Sequence, residues 1–134
     1  MQKIEHIGIA VNDIDKSKAL FSKIFGKDNF KSEVIESEGV ITSFFQIGES
    51  KVELVAAINS DSSIAKYLEK NREGMHHIAF DVEDIEKEMN RLQNEGIRIL
   101  NEKPKKGADN KLICFLHPKD TNGVLIELCQ EIKQ

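Results

Sequence analysis

Apolar and polar residues alternate through "KIEHIGIAV" from Lys3, the period-two pattern of a half-buried strand. The pattern then switches. In "DIDKSKALFSKIFG" Ile14, Phe21, Ile24 and Phe25 recur at helical spacing, with Asp13 as N-cap and Gly26 as the stop. Three strand-like runs follow, "FKSEVIESE", "VITSFFQIG" and "SKVELVAA", separated by turn residues in "SEG" and "GES". The second half repeats this order. "MHHIAFDV" reads as a strand. "DIEKEMNRLQNEG" is an amphipathic helix with Ile85, Met89 and Leu92 inward and Gly96 closing it. "IRILNEKP", "KLICFLHP" and "GVLIELCQ" are the three later strands. Between the halves, "NSDSSIAKYLEKNREG" predicts a connecting helix. Ser60 or Asp61 can cap it, Ser62 and Ser63 are also suited to capping, Ile64 and Leu68 share a face, and Gly74 ends it.

Each half therefore reads β-α-β-β-β, an α+β class. The predicted layout is one domain over residues 1–134: a first module over about 1–57, a connecting helix over about 60–73 and a second module over about 74–134. A chain of 134 residues suffices for one core. The net charge of −4 argues against a dedicated nucleic-acid surface. No run approaches the roughly 20 apolar residues that span a bilayer. The opening residues lack a signal-peptide pattern, so Cys114 and Cys129 are expected to be reduced core thiols in a cytoplasmic protein.

The repeat also carries chemistry. "HIGIAVNDI" at His6 lies over "HIAFDVEDI" at His77, and "KVELV" lies over "VLIEL". Each module thus offers one histidine on its first strand and one glutamate on its last: His6 with Glu53, His77 with Glu127. Strand alternation points Glu53 away from Val52 and Leu54, and Glu127 away from Ile126 and Leu128. Both glutamates then share a face that is not the main helix-packed core. A lone strand histidine usually just packs, and a lone strand glutamate usually faces water. Duplicated scaffold positions, however, are usually apolar, and these are polar in both copies. One divalent cation relieves the cost of burying two carboxylates beside two imidazoles. His76 has Glu5 as its counterpart and faces the other way, so it is assigned to packing.

Paired βαβββ modules with these residues resemble the vicinal oxygen chelate superfamily, the glyoxalase, bleomycin-resistance and dioxygenase group. The blocks "HIGIAV", "DSSIAKYLEKNREGMHHIAFDVEDI", "NEKPKKGADNK" and "FLHPKDTNGVLIEL" resemble the methylmalonyl-CoA epimerase family within it, along essentially the whole chain. That resemblance implies a curved, open, barrel-like mixed sheet with a metal site in its cleft. It implies His6, Glu53, His77 and Glu127 as ligands of a divalent ion, Co²⁺ first, with Mn²⁺, Ni²⁺, Zn²⁺ or Mg²⁺ as other choices. Glu127 would also be a catalytic base, many relatives carry Gln at the position of Glu53, and the protein would be a homodimer. The implied reaction interconverts (R)- and (S)-methylmalonyl-CoA through an enolate.

Some epimerases carry a glutamate base where this chain has Thr42, so the second proton carrier would be a water or another side chain. The CoA thioester would be the small-molecule partner, with no nucleic acid or membrane. Its phosphates would meet Lys103, Lys105, Lys106 and Lys111, although a solvated basic loop explains these equally well. His117 and Lys119 match a family block, and with Thr42 they join the substrate-binding candidates. The same ligands would serve a glyoxalase I-type isomerase or a CoA-thioester isomerase acting on another acyl group. A non-catalytic small-molecule-binding protein of this fold would be expected to lack the full ligand set.

Overall fold

The structure is a computed structural model and describes residues 1–133. Its elements run β1 (Lys3–Ala10), α1 (Ile14–Phe25), β2 (Lys31–Ile35), β3 (Val40–Ile47), β4 (Ser50–Ala57), α2 (Ser63–Lys70), β5 (Gly74–Asp81), α3 (Ile85–Asn94), β6 (Lys105–Lys106), β7 (Lys111–Phe115) and β8 (Ile126–Glu131). The β-α-β-β-β order therefore occurs twice, with α2 between the copies. Two compact units result: residues 7–76, and residues 1–6 together with 77 onward.

In the unit of residues 7–76 the strand order is β2-β3-β4-β1. β3 is antiparallel to both β2 and β4, with Thr42 opposite Glu33 on one side and Val55 on the other. Alternation gives the sheet two apolar faces. Phe45, Leu54 and Ala56 pack with Ile14, Phe21 and Phe25 of α1. Val40 and Val55 pack with Ile64, Tyr67 and Leu68 of α2. Ile24 does not join the α1 seam as its spacing suggested: it is 61% exposed. The helix packs with Ile14, Phe21 and Phe25, and Ile24 lies beside that stripe.

Asp13 caps α1 by accepting from the backbone N–H of Lys16, worth about 1 kcal/mol. The cap of α2 is Ser62, not Ser60 or Asp61; its Oγ accepts from the backbone N–H of Ala65. Gly74 does not end α2. The helix stops at Lys70 with Asn71 as its cap, and Gly74 opens β5.

In the other unit the order is β1-β5-β8-β7-β6. β5 runs parallel to β8, placing Ala79 beside Glu127, and β7 runs antiparallel to β8, placing Phe115 on its other side. The first residues of the chain join this unit through the backbone N–H of Gln2, which donates to the carbonyl of Asp81 at 2.8 Å. α3 covers one sheet face. Ile85, Met89 and Leu92 pack on Val82, Cys114, Leu116 and Leu128. A fully buried aliphatic side chain here stabilises the fold by about 1.5–3 kcal/mol. Asp84 caps α3 through the backbone N–H of Lys87.

The predicted strand "IRILNEKP" is not one. Ile99 makes a single bridge to Leu116, and the ladder resumes only at Lys105–Lys106. Asn101 supplies the reason. Its side-chain oxygen accepts the N–H of Phe115, a bond that a continuing strand would have taken with its backbone. Pro104, three residues on, has no N–H to give a ladder.

Candidate metal centre

His6, His77 and Glu127 come from three strands of one unit. On β8, Leu128 enters the α3 core, so Glu127 and Cys129 point to the opposite face. His77 lies two residues before Ala79, the strand partner of Glu127. His77 and Glu127 are thus near neighbours on adjacent parallel strands. His6 Nε2 lies 3.1 Å from His77 Nε2. Glu127 Oε1 lies 3.2 Å from His77 Nε2 and 3.6 Å from His6 Nε2. All three residues are buried, at 5%, 8% and 5% exposure for His6, His77 and Glu127. The two imidazoles meet edge to face with ring centres 5.1 Å apart, and the Phe115 ring stands edge-on to His77.

These distances fit a metal ion. Metal–ligand bonds of about 2.1 Å put neighbouring donor atoms about 3.0 Å apart in an octahedron and about 3.4 Å apart in a tetrahedron. Two sides of the donor triangle here, 3.1 and 3.2 Å, fall within that range, and the third, 3.6 Å, lies just above it. The donor set, two imidazoles and one carboxylate, suits a divalent transition ion with positions left open. Their ligand atoms all lie within 4.8 Å of one another.

Two buried groups that the sequence reading missed touch this triangle. Glu5 Oε1 is 3.2 Å from His6 Nδ1. The Cys129 thiol donates to Glu127 Oε2 at 3.0 Å. A sequence signal existed for each. Glu5 is a carboxylate inside an apolar strand next to a candidate ligand. Cys129 lies two residues after Glu127, and so on the same strand face. Cys114 points to the other face. Burial pushes its thiol up to about 12, the charge of Glu127 adds to the rise, and a backbone hydrogen bond at Leu128 opposes it. Both cysteines are free and buried, as expected.

Glu53 is buried on β4 in the unit of residues 7–76, directly across from Phe44. It faces away from Leu54, which packs with α1, in agreement with the alternation argument. Thr42 is also buried, and its hydroxyl donates to the carbonyl of Glu33. His76 packs edge-on against Tyr67 with ring centres 4.8 Å apart, the packing role assigned to it.

Lys103, Lys105 and Lys106 are exposed, and Lys111 is half-buried at the start of β7. His117 Nδ1 accepts the backbone N–H of Lys119, capping the short 3-10 turn over Pro118–Asp120. Next to that turn, hydrogen bonds from Arg98 hold the Asp120 carboxyl well below the usual carboxylate range.

Residues 5–115 match the family model described as the Glyoxalase/Bleomycin resistance protein/Dioxygenase superfamily. The chain is 40% identical to the mitochondrial methylmalonyl-CoA epimerase of Homo sapiens over 96% of its own length and 73% of that protein. It is 38% identical to the ethylmalonyl-CoA/methylmalonyl-CoA epimerase of Cereibacter sphaeroides, over 96% of this chain and 97% of that one. Among solved structures, a variant of the Streptomyces coelicolor methylmalonyl-CoA epimerase in complex with 2-nitronate-propionyl-CoA superposes with a TM-score of 0.95 at 36% identity, over 99% of each chain. The two βαβββ modules, the histidine pair and these likenesses converge: the chain belongs to the Glyoxalase/Bleomycin resistance protein/Dioxygenase superfamily, and within it to the methylmalonyl-CoA epimerase family.

Proposed function

We propose that this protein is a metal-dependent epimerase that interconverts (R)- and (S)-methylmalonyl-CoA. The observation that carries the reading is the buried His6, His77 and Glu127 triangle in a chain so similar, over its full length, to methylmalonyl-CoA epimerases. His6 Nε2, His77 Nε2 and Glu127 Oε1 would hold the ion, and the family resemblance would add Glu53 as a fourth ligand. The imidazole and carboxylate donors support a Co²⁺-like ion. When bound, the ion supplies Lewis-acid polarisation of the thioester carbonyl, worth several kcal/mol at the developing enolate.

The chain's own residues do the rest. Glu127 takes the α-proton, a task that contributes a factor of roughly 10²–10⁴ for a positioned base. Its Oε2 accepts the Cys129 thiol and keeps a second lone pair for that proton. Thr42 has no carboxylate, and its hydroxyl is engaged with the Glu33 carbonyl. The proton delivered to the opposite face therefore comes from a water or another side chain. Lys103, Lys105, Lys106 and Lys111 supply cationic partners for the CoA phosphates, and His117 and Lys119 are further candidates for substrate contact. A homodimer, common in the superfamily, completes the reading.

The test is to incubate the purified protein with (2S)-methylmalonyl-CoA in D₂O. Deuterium at C2 together with racemisation is expected. Neither appearing with metal-loaded protein would refute the assignment, and exchange without racemisation would refute epimerisation.

A further inference from the structure

Two buried groups stand directly behind the ligand atoms. Glu5 is only 2% exposed, and its Oε1 lies 3.2 Å from His6 Nδ1. With the Glu5 carboxylate as acceptor in this contact, Nδ1 is the donor and Nε2 keeps its lone pair. That lone pair is the one turned toward His77 Nε2 and Glu127 Oε1. Cys129 has no exposed surface, and its thiol donates to Glu127 Oε2 at 3.0 Å. The thiol engages one carboxylate oxygen and turns the other, Oε1, toward the two imidazole nitrogens.

We propose that Glu5 and Cys129 are positioning residues of the metal centre: Glu5 sets the tautomer and ring orientation of His6, and Cys129 sets which oxygen of Glu127 faces the ion. The inference rests on the metal-dependent reading of this site. Packing alone explains neither residue. Cys129 sits among Ala79, Ile113 and Phe115, where an aliphatic side chain would serve as well. A buried carboxylate at position 5 carries a desolvation cost that an apolar residue would not. Partners of this kind, one step behind a ligand, typically change metal affinity by a factor of roughly 10–100.

The experiment is a Co²⁺ titration of the metal-free full chain, followed by visible absorption, for the wild type, Cys129→Ala, Cys129→Ser and Glu5→Gln. Cys129→Ala removes the donor and is expected to weaken binding roughly 10–100-fold with an altered d–d spectrum. Cys129→Ser keeps a donor and is expected to restore affinity to within about threefold of the wild type. Glu5→Gln keeps the size, removes the charge and is expected to cost about tenfold. Should Cys129→Ala not fold, Cys129→Val keeps the volume, lacks the donor and makes the same test. Thermal unfolding of the metal-free variants reports packing separately, because a merely structural cysteine would shift Tm without separating Ala from Ser in affinity.

Wild-type affinity in Cys129→Ala, or equal loss in Ala and Ser, would overturn the role of Cys129. Wild-type affinity in Glu5→Gln would overturn that of Glu5. A thiolate-to-cobalt charge-transfer band in the wild type would also overturn the proposal, by making Cys129 a ligand. A wild type that binds no Co²⁺ sinks the metal centre and this inference together. A wild type that binds Co²⁺ but does not epimerise sinks only the proposed reaction.

Discussion

Replacing Glu127 by Gln separates its two proposed roles. Glu127 is 5% exposed, so protein groups rather than water solvate its charge. Oε1 lies 3.2 Å from His77 Nε2 and 3.6 Å from His6 Nε2, and Oε2 accepts the Cys129 thiol. The amide keeps the volume and one acceptor oxygen, so the ion retains a donor. It loses the negative charge and every capacity to take up a proton. If Glu127 moves the α-proton, Glu127→Gln loses roughly 10²–10⁴ in kcat, or about 2.7–5.4 kcal/mol of barrier at 1.36 kcal/mol per tenfold. Glu53 is the control. An amide oxygen can still coordinate an ion, so Glu53→Gln is expected to cost less than about tenfold. The assay is metal content by elemental analysis alongside kcat with (2S)-methylmalonyl-CoA at saturating metal. Equal losses in the two variants at equal occupancy would refute the reasoning: Glu127 would be a ligand only, and the proton would travel through another group.

The purified protein is expected to carry about one divalent ion per chain, and a strong chelator should abolish turnover; full activity in a metal-free sample would contradict this. His77→Ala should abolish metal binding while His76→Ala, which loses its contact with Tyr67, mainly lowers Tm; comparable metal loss in both folded variants would show the wrong histidine was chosen. Burial raises the Cys114 thiol from 9.0 to about 12 in the folded chain. The folded state thus favours the neutral thiol, so this stability is complete below the unfolded value and is lost as pH rises from about 9 toward 12. Urea midpoints between pH 8 and 11 should fall, and Cys114→Ala should flatten that fall; an unchanged slope in the variant would exclude the thiol as its source. Arg98 is exposed and Asp120 half-buried, and paired hydrogen bonds join them, so Arg98→Ala should leave kcat unchanged and lower Tm modestly, and a large change in kcat would assign the turn a role in the reaction.

Much of this was readable from periodicity alone. Strand alternation separates Glu127 from Leu128 and Glu53 from Leu54 without any coordinates, because the period of two sends neighbours to opposite faces. The repeat then singles out His77 over His76. Where the reading failed, side chains had replaced the backbone pattern it relied on. "IRILNEKP" has the apolar alternation of a strand, but Asn101 takes the N–H of Phe115 with its side chain. Ile24 has helical spacing, yet a short helix needs only a narrow stripe, and Phe21 and Phe25 already fill it. Glu5 and Cys129 were missed although each carried a local sequence signal, because what marks them is a side-chain contact, to His6 and to Glu127. A hydrogen bond of that kind leaves no trace in hydrophobic spacing.

The first six residues of the chain belong to the unit otherwise built from residue 77 onward. This has a consequence for biosynthesis. At elongation rates of about 5–20 residues per second, the roughly 120 residues between His6 and Glu127 take about 6–24 s to make. Throughout that interval the nascent chain presents His6 without Glu127, and for more than half of it without His77. On the proposed ligand set the donors are therefore incomplete during early translation, when His6 is the only one of the two histidines yet made. In the proposed reading, completion of the site is tied to the last strand: a polypeptide whose synthesis stops before β8 lacks the Glu127 carboxylate.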